Sequence, residues 1–167
     1  MLNFQAAKDE FVASVTWSPD PVISPRRTFN SDSPRLKLSK KRFPLRFKRG
    51  VRFTIKTSIG RTVTLFVSPF NYDGATYPKK LQVFLGKGTQ PSYRKASALH
   101  DYMMNNKQEL LSKFEGVLTY KQLRQISSSA FKRVLIEDGV SVIQASIMSF
   151  FMHLWQVFGN SKAWRHR

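Results

Sequence analysis

The sequence predicts an α+β fold: a small antiparallel β-hairpin or sheet packed on about three α-helices, behind an extended basic N-terminal arm. Three observations predict it. From Val51 to Val67 apolar and polar residues alternate, the period of half-buried strands. After Tyr93 the apolar spacing lengthens to that of helices. Before residue 50 the chain is rich in prolines and cations, a composition suited to an arm. The expected organisation is therefore an arm over 1–49 and a single α+β domain over 50–167.

Within the arm, SPDPVISPRRTFNSDSPR carries Pro19, Pro21, Pro25 and Pro34. Each proline removes a backbone donor and biases its predecessor to extended geometry. In RLKLSKKRFPLRFKRG, Leu36, Leu38, Leu45 and Phe47 alternate with basic neighbours, which suggests a strand with one wet, positive face. Next, Val51, Phe53 and Ile55 alternate with Arg52, Thr54 and Lys56; Ser58-Ile59-Gly60 reads as a turn, and Thr62 to Val67 as the returning strand.

Ala96, Leu99, Tyr102, Met103 and Asn106 share one face of a helix near 94–107. A second helix is expected from Thr119, where Thr119 and Gln122 make a capping-box pair and Leu118 can staple to Leu123. Its stripe is Leu123, Ile126, Ala130, Phe131, Val134 and Leu135, and Gly139 stops it. Ser141 and Gln144 repeat the capping pattern for a third helix ending at Gly159. That helix contains no Asp, Glu, Lys or Arg, so it is expected to be buried as the central core helix. Eighteen residues would span roughly 27 Å, the lower edge of a membrane crossing, but Gln144, His153 and Gln156 argue against lipid on all sides.

The chain carries 28 Lys and Arg against 10 Asp and Glu, a net +18, which speaks about partners rather than fold. It has no cysteine, which excludes disulfides and thiolate metal sites and fits a reducing compartment. The leading MLNFQAAKDEF lacks a basic segment followed by an apolar run and is not expected to be a signal peptide. Between Arg26 and Lys56 stand twelve cations and one acid, Asp32, or +11 of the +18. The residues expected to meet a partner are Arg26, Arg27, Arg35, Lys37, Lys40, Lys41, Arg42, Phe43, Arg46, Phe47, Lys48 and Arg49. Phenylalanines among cations suit stacking on bases as well as a protein surface, so the arm is expected to fold on DNA or protein. Neither a membrane nor a small-molecule substrate is expected as partner.

Asp73, His100 and Asp101 are the candidates for chemistry. An imidazole between carboxylates can bind a divalent metal or act as a general base. The plainer reading makes Asp73 a turn residue before Gly74 and lets His100 pair with it, locking helix to hairpin, with Tyr102 in the same structural polar cluster. Adjacent helical residues point about 100° apart, so His100 and Asp101 do not easily share one ligand. The plainer reading is preferred, with no cofactor expected and a divalent metal as the alternative. His153 is read as a hydrogen-bonded core histidine and His166 as part of a basic tail. LGKGTQ (Leu85 to Gln90) lacks the spacing of a phosphate loop, and Ser127-Ser128-Ser129 lacks the glycines that expose a nucleophile.

Phe70-Asn71-Tyr72-Asp73-Gly74-Ala75-Thr76-Tyr77-Pro78, then Ala96-Ser97-Ala98-Leu99-His100-Asp101-Tyr102-Met103-Met104, then Val157-Phe158-Gly159 and Lys162-Ala163-Trp164-Arg165, occur in that order. In this series, residues 50–167 resemble domain-of-unknown-function family 1353 of phage and prophage proteins. The resemblance departs at Ser128, where that pattern usually carries an aspartate. It implies a phage protein without a settled activity. The expected function is a non-enzymatic virion component of tail, connector or baseplate, made in the host cytoplasm and docked by its arm to other virion proteins or DNA. The alternatives are a phage-encoded hydrolase of the cell envelope, centred on Asp73, His100 and Asp101, and a membrane-interacting ejection protein using residues 141–158.

Overall fold

The computed structural model describes residues 12–25, 45–72, 74–75, 85–113 and 118–158. Among the described residues six strands, β1 (Val12–Ser18), β2 (Ile23–Pro25), β3 (Leu45–Phe47), β4 (Val51–Thr57), β5 (Thr62–Val67) and β6 (Phe70–Tyr72), form two three-stranded antiparallel sheets. One sheet has the order β1-β4-β5 and the other β2-β3-β6. The described helices are α1 (Pro91–Asn105), α2 (Lys107–Lys113), α3 (Tyr120–Glu137) and α4 (Val142–Phe158). The fold is α+β.

The β4–β5 hairpin forms as the alternation predicts. Val51, Phe53 and Ile55 are fully buried, while Arg52 and Lys56 face water. Gly60 turns the chain at φ +83, a left-handed conformation that glycine adopts without strain, and its N–H donates to the Thr57 carbonyl at 3.0 Å. Opposite β5, β1 pairs with the other edge of β4, with a bulge between Val12 and Ser14.

The segment expected to be an extended arm is partly built into the sheets. β1, β2 and β3 all lie before residue 50, so the N-terminal third contributes three of the six described strands. Ile23, Ser24 and Pro25 pair with Phe47, Arg46 and Leu45. Pro25 is tolerated because β2 is an edge strand, where a missing N–H breaks no inner ladder. Residues 26–44 therefore connect two neighbouring strands whose ends sit side by side. The alternation expected from Arg35 to Gly50 is a strand at Leu45–Phe47; residues 35–44 lie outside the described residues.

Helix α1 starts earlier than its apolar spacing indicates, because Pro91 occupies its first turn, where a missing N–H costs nothing. Helix α2 was not expected; Asn106, which caps α1 by donating to the Tyr102 carbonyl, separates the two. Thr119 and Gln122 form the capping box at the start of α3, and Gly139 at φ +85 follows its end.

The central helix is α3, not α4. It packs on α1, α4 and β1, burying Leu123, Ile126, Ala130, Phe131, Val134 and Leu135. The β1 backbone is tied to it directly, Val12 N donating to Ser129 Oγ at 2.8 Å. Helix α4 lies outside α3. It buries Ala145, Met148, Met152 and Gln156, while Val142, Ile143, Ile147 and Phe150 are exposed, Ile143 by 74%. An uncharged helix must find apolar neighbours on several sides, but its composition does not say that this chain supplies them all. Among the described residues no helix is long and apolar enough to cross a membrane.

Candidate functional site: a closed histidine network and an open aromatic cleft

His100 stands on the buried face of α1, in line with Tyr93, Ala96 and Met103, and is 2% exposed. The Phe131 ring of α3 meets it edge-on at 5.8 Å between centroids. Its Nδ1 lies 3.4 Å from Asp101 Oδ1, and its Nε2 lies 2.5 Å from Gln156 Nε2 on α4. Gln156 Oε1 in turn accepts from Ser128 Oγ of α3 at 3.2 Å. A single protonation pattern satisfies all four groups. Neutral His100 donates from Nδ1 to the Asp101 carboxylate and accepts at Nε2 from the Gln156 amide, whose oxygen accepts the Ser128 hydroxyl. Ser149 Oγ donates to the Ser128 carbonyl at 2.9 Å and closes the contact between α4 and α3.

Burial pushes the His100 pKa down to about 3, because the imidazolium would lose its hydration among apolar neighbours. The Asp101 carboxylate favours the cation, but at 3.4 Å it is a long contact, and desolvation outweighs it. The histidine therefore ties helix to helix, α1 to α4 and through Gln156 to α3. The expected pairing with Asp73 concerns a residue that lies outside the described residues. Tyr102, the next residue on α1 after Asp101, is half-buried with its ring 6.2 Å from that of Phe70. Ser128, where the resemblance leads one to expect an acid, is buried and reaches His100 only through Gln156. Sequence reasoning gave Gln156 no part in the site; its only signal was an amide among the few polar side chains of an uncharged helix.

The glycines around the Asp-Gly-Ala stretch have a packing role. Gly74 adopts φ +88, and Ala75 N donates to the Gly88 carbonyl at 3.0 Å. A Cβ on Gly88 would lie 1.9 Å from the Ala75 carbonyl oxygen, so only glycine lets these two backbones meet. The LGKGTQ stretch is thus a joint that docks the chain before α1 against the end of β6. Tyr72 and Tyr93 brace it, donating to the carbonyls of Arg94 and Leu85.

Of the residues expected to meet a partner, Arg26, Arg27, Arg35, Lys37, Lys40, Lys41, Arg42 and Phe43 lie outside the described residues. Arg46, Lys48 and Arg49 are exposed. Phe47 is not available to a partner: it is fully buried, 6.4 Å from the ring of Phe53 and 5.9 Å from that of Phe70. The alternation of β3 explains this, since Phe47 shares the inward parity of Leu45 while Arg46 points out.

An open cleft of about 440 Å³ lies between the β5–β6 connection and the end of α1. Phe66, Phe70 and Tyr102 supply its aromatic surface, and Asn71, Asn105 and Glu109 its polar groups. Phe66 is 60% exposed, an aromatic on the outward parity of β5 where Thr62 and Thr64 also stand. That parity was the available signal for this site.

The molecule is thus a small α+β domain with a closed polar network in its helical layer. The chain belongs to the family described as protein of unknown function (DUF1353), whose model matches residues 51–154. No curated protein and no solved structure matches it.

Proposed function

We propose that this chain is a non-enzymatic component of a phage particle that docks on other virion proteins or on DNA through its basic segment, residues 26–49. The observation that carries this reading is the pairing of Pro25 with Leu45. It brings the residues that flank 26–44 together in one sheet, and the 26–44 sequence carries seven cations and one acid. Arg46, Lys48 and Arg49 continue the charge at its base. Cations in a segment whose two flanks are anchored in one sheet steer binding to an acidic surface, and the anchoring lowers the entropy lost on docking.

The experiment replaces residues 26–44 with a short Gly-Ser linker, which joins β2 to β3 and keeps every described strand. The expected outcome is a folded domain that no longer enters particles. Incorporation at full occupancy would refute the reading. The hydrolase alternative requires His100 to exchange protons during turnover. Both its nitrogens are already engaged, and burial holds it neutral down to about pH 3.

A further inference from the structure

We infer that the cleft between β5, β6 and the end of α1 is a binding site for single-stranded nucleic acid that does not depend on residues 26–44. Phe66 is the stacking platform. The far end of its ring lies over Gly50, where a Cβ would come 2.5 Å from the ring's Cζ, so the missing side chain makes room for the exposed ring. Phe70 and Tyr102 form a second aromatic surface in the same cleft, their centroids 6.2 Å apart. Every base has a π-face, so such surfaces take bases with little regard to sequence.

Charge sets the direction of the strand's backbone. Arg52 is the cross-strand partner of Phe66, and Arg46 that of Asn71; all four side chains are exposed, and cross-strand partners share a sheet face. Two cations thus flank the cleft on its sheet side, placed for phosphates. On the helix side stand Asn105 and Glu109. A carboxylate there repels phosphate but accepts from the amino group of cytosine, adenine or guanine, and amides hydrogen-bond base edges. The base therefore points toward α1 and the phosphates toward the arginines. Among the described residues from 12 to 72 the only acid is Asp20, which accepts from Trp17 Nε1 at 2.9 Å, so the sheet side of the site is otherwise cationic. A neutral glycan would use the aromatics and amides but not the two arginines.

The test is fluorescence anisotropy with a labelled oligodeoxycytidine of about twelve nucleotides, an abasic strand of equal length, and an uncharged oligosaccharide. It uses the full-length protein and the variant with residues 26–44 replaced by the linker. The base-bearing strand should bind about tenfold or more tighter than the abasic one in both proteins. Phe66→Ala should abolish that difference, and Gly50→Ala, which displaces the ring, should reduce it. Arg52→Gln should weaken both strands and lower the log–log salt slope by about 0.7. Phe66 is exposed, so far-ultraviolet circular dichroism should show each variant folded. Equal binding of the two strands, no binding of either, binding of the oligosaccharide, or loss of the base-dependent difference with residues 26–44 would each overturn the inference. Particle incorporation is scored separately, so failure of the docking reading and failure of this site are told apart.

Discussion

Lowering the pH should destabilise this protein through His100 by an amount that its burial sets. In the folded chain the imidazole is neutral down to about pH 3, whereas in the unfolded chain it takes a proton near 6.5. Between those values the unfolded state binds the extra proton, so stability falls as pH falls. Above about 6.5 the contribution is fully present; below about 3 it is fully lost. Each unit is worth about 1.4 kcal/mol, so the loss is about 2–3 kcal/mol at pH 4.5 and about 4–5 kcal/mol at pH 3. His100→Gln keeps an amide in reach of Gln156 but cannot titrate, so it removes the term while every carboxylate still contributes in both proteins. The assay is urea unfolding of wild type and His100→Gln at pH 7.5 and 4.5. The stability advantage of wild type over the variant should shrink by about 2–3 kcal/mol between the two. An advantage that stays constant or grows on acidification would refute the reasoning. It would mean that the Asp101 carboxylate holds the imidazole protonated and that the network around Gln156 is wired the other way.

Other outcomes follow from the same geometry. Gln156→Leu leaves His100 Nε2 and Ser128 Oγ buried without partners and should cost about 2–4 kcal/mol in chemical denaturation; Ser128→Ala in that background should recover part of the loss. Gly88→Ala drives a Cβ into the Ala75 carbonyl and should lower stability by about 2–3 kcal/mol, whereas Gly139→Ala, strained by φ +85 but facing open space, should cost only about 1 kcal/mol, a contrast that thermal melts can read. Thr119→Ala removes the hydroxyl that accepts from Gln122 N, while the residue-119 N–H still donates to Gln122 Oε1, and should cost about 1 kcal/mol by the same measurement, with Thr119→Ser nearly silent.

The hairpin of β4 and β5, the start of α3 and its buried stripe were legible in the sequence because each rests on local chemistry. Alternation decides which face of a strand is wet, a Thr-x-x-Gln pair satisfies its own backbone donors, and glycine accepts positive φ wherever it falls. None of these needs a distant partner. Of the strands before residue 50, Leu45–Phe47 was legible from its alternation, but Val12–Ser18 and Ile23–Pro25 were not. Prolines and cations are the composition of an arm, and only pairing with β4 and β3 makes those two segments into sheet. The depth of α4 was not legible either, since apolar residues record a need for burial and not the surface that meets it.

By itself the sequence determined the α+β class, the charge that confines the choice of partners, and the buried histidine at the head of His-Asp-Tyr. The tertiary structure alone decided that Gln156 and Ser128 complete the bonding of that histidine, across 56 and 28 positions of chain. It also decided that Phe66, Asn71 and Tyr102 line one cleft and that the two ends of the basic segment stand together. The physical reason is range. Helix caps and strand faces are set by residues a few positions apart, whereas a hydrogen bond between helices or a cleft between a strand and a helix exists only after the core has brought those surfaces into contact.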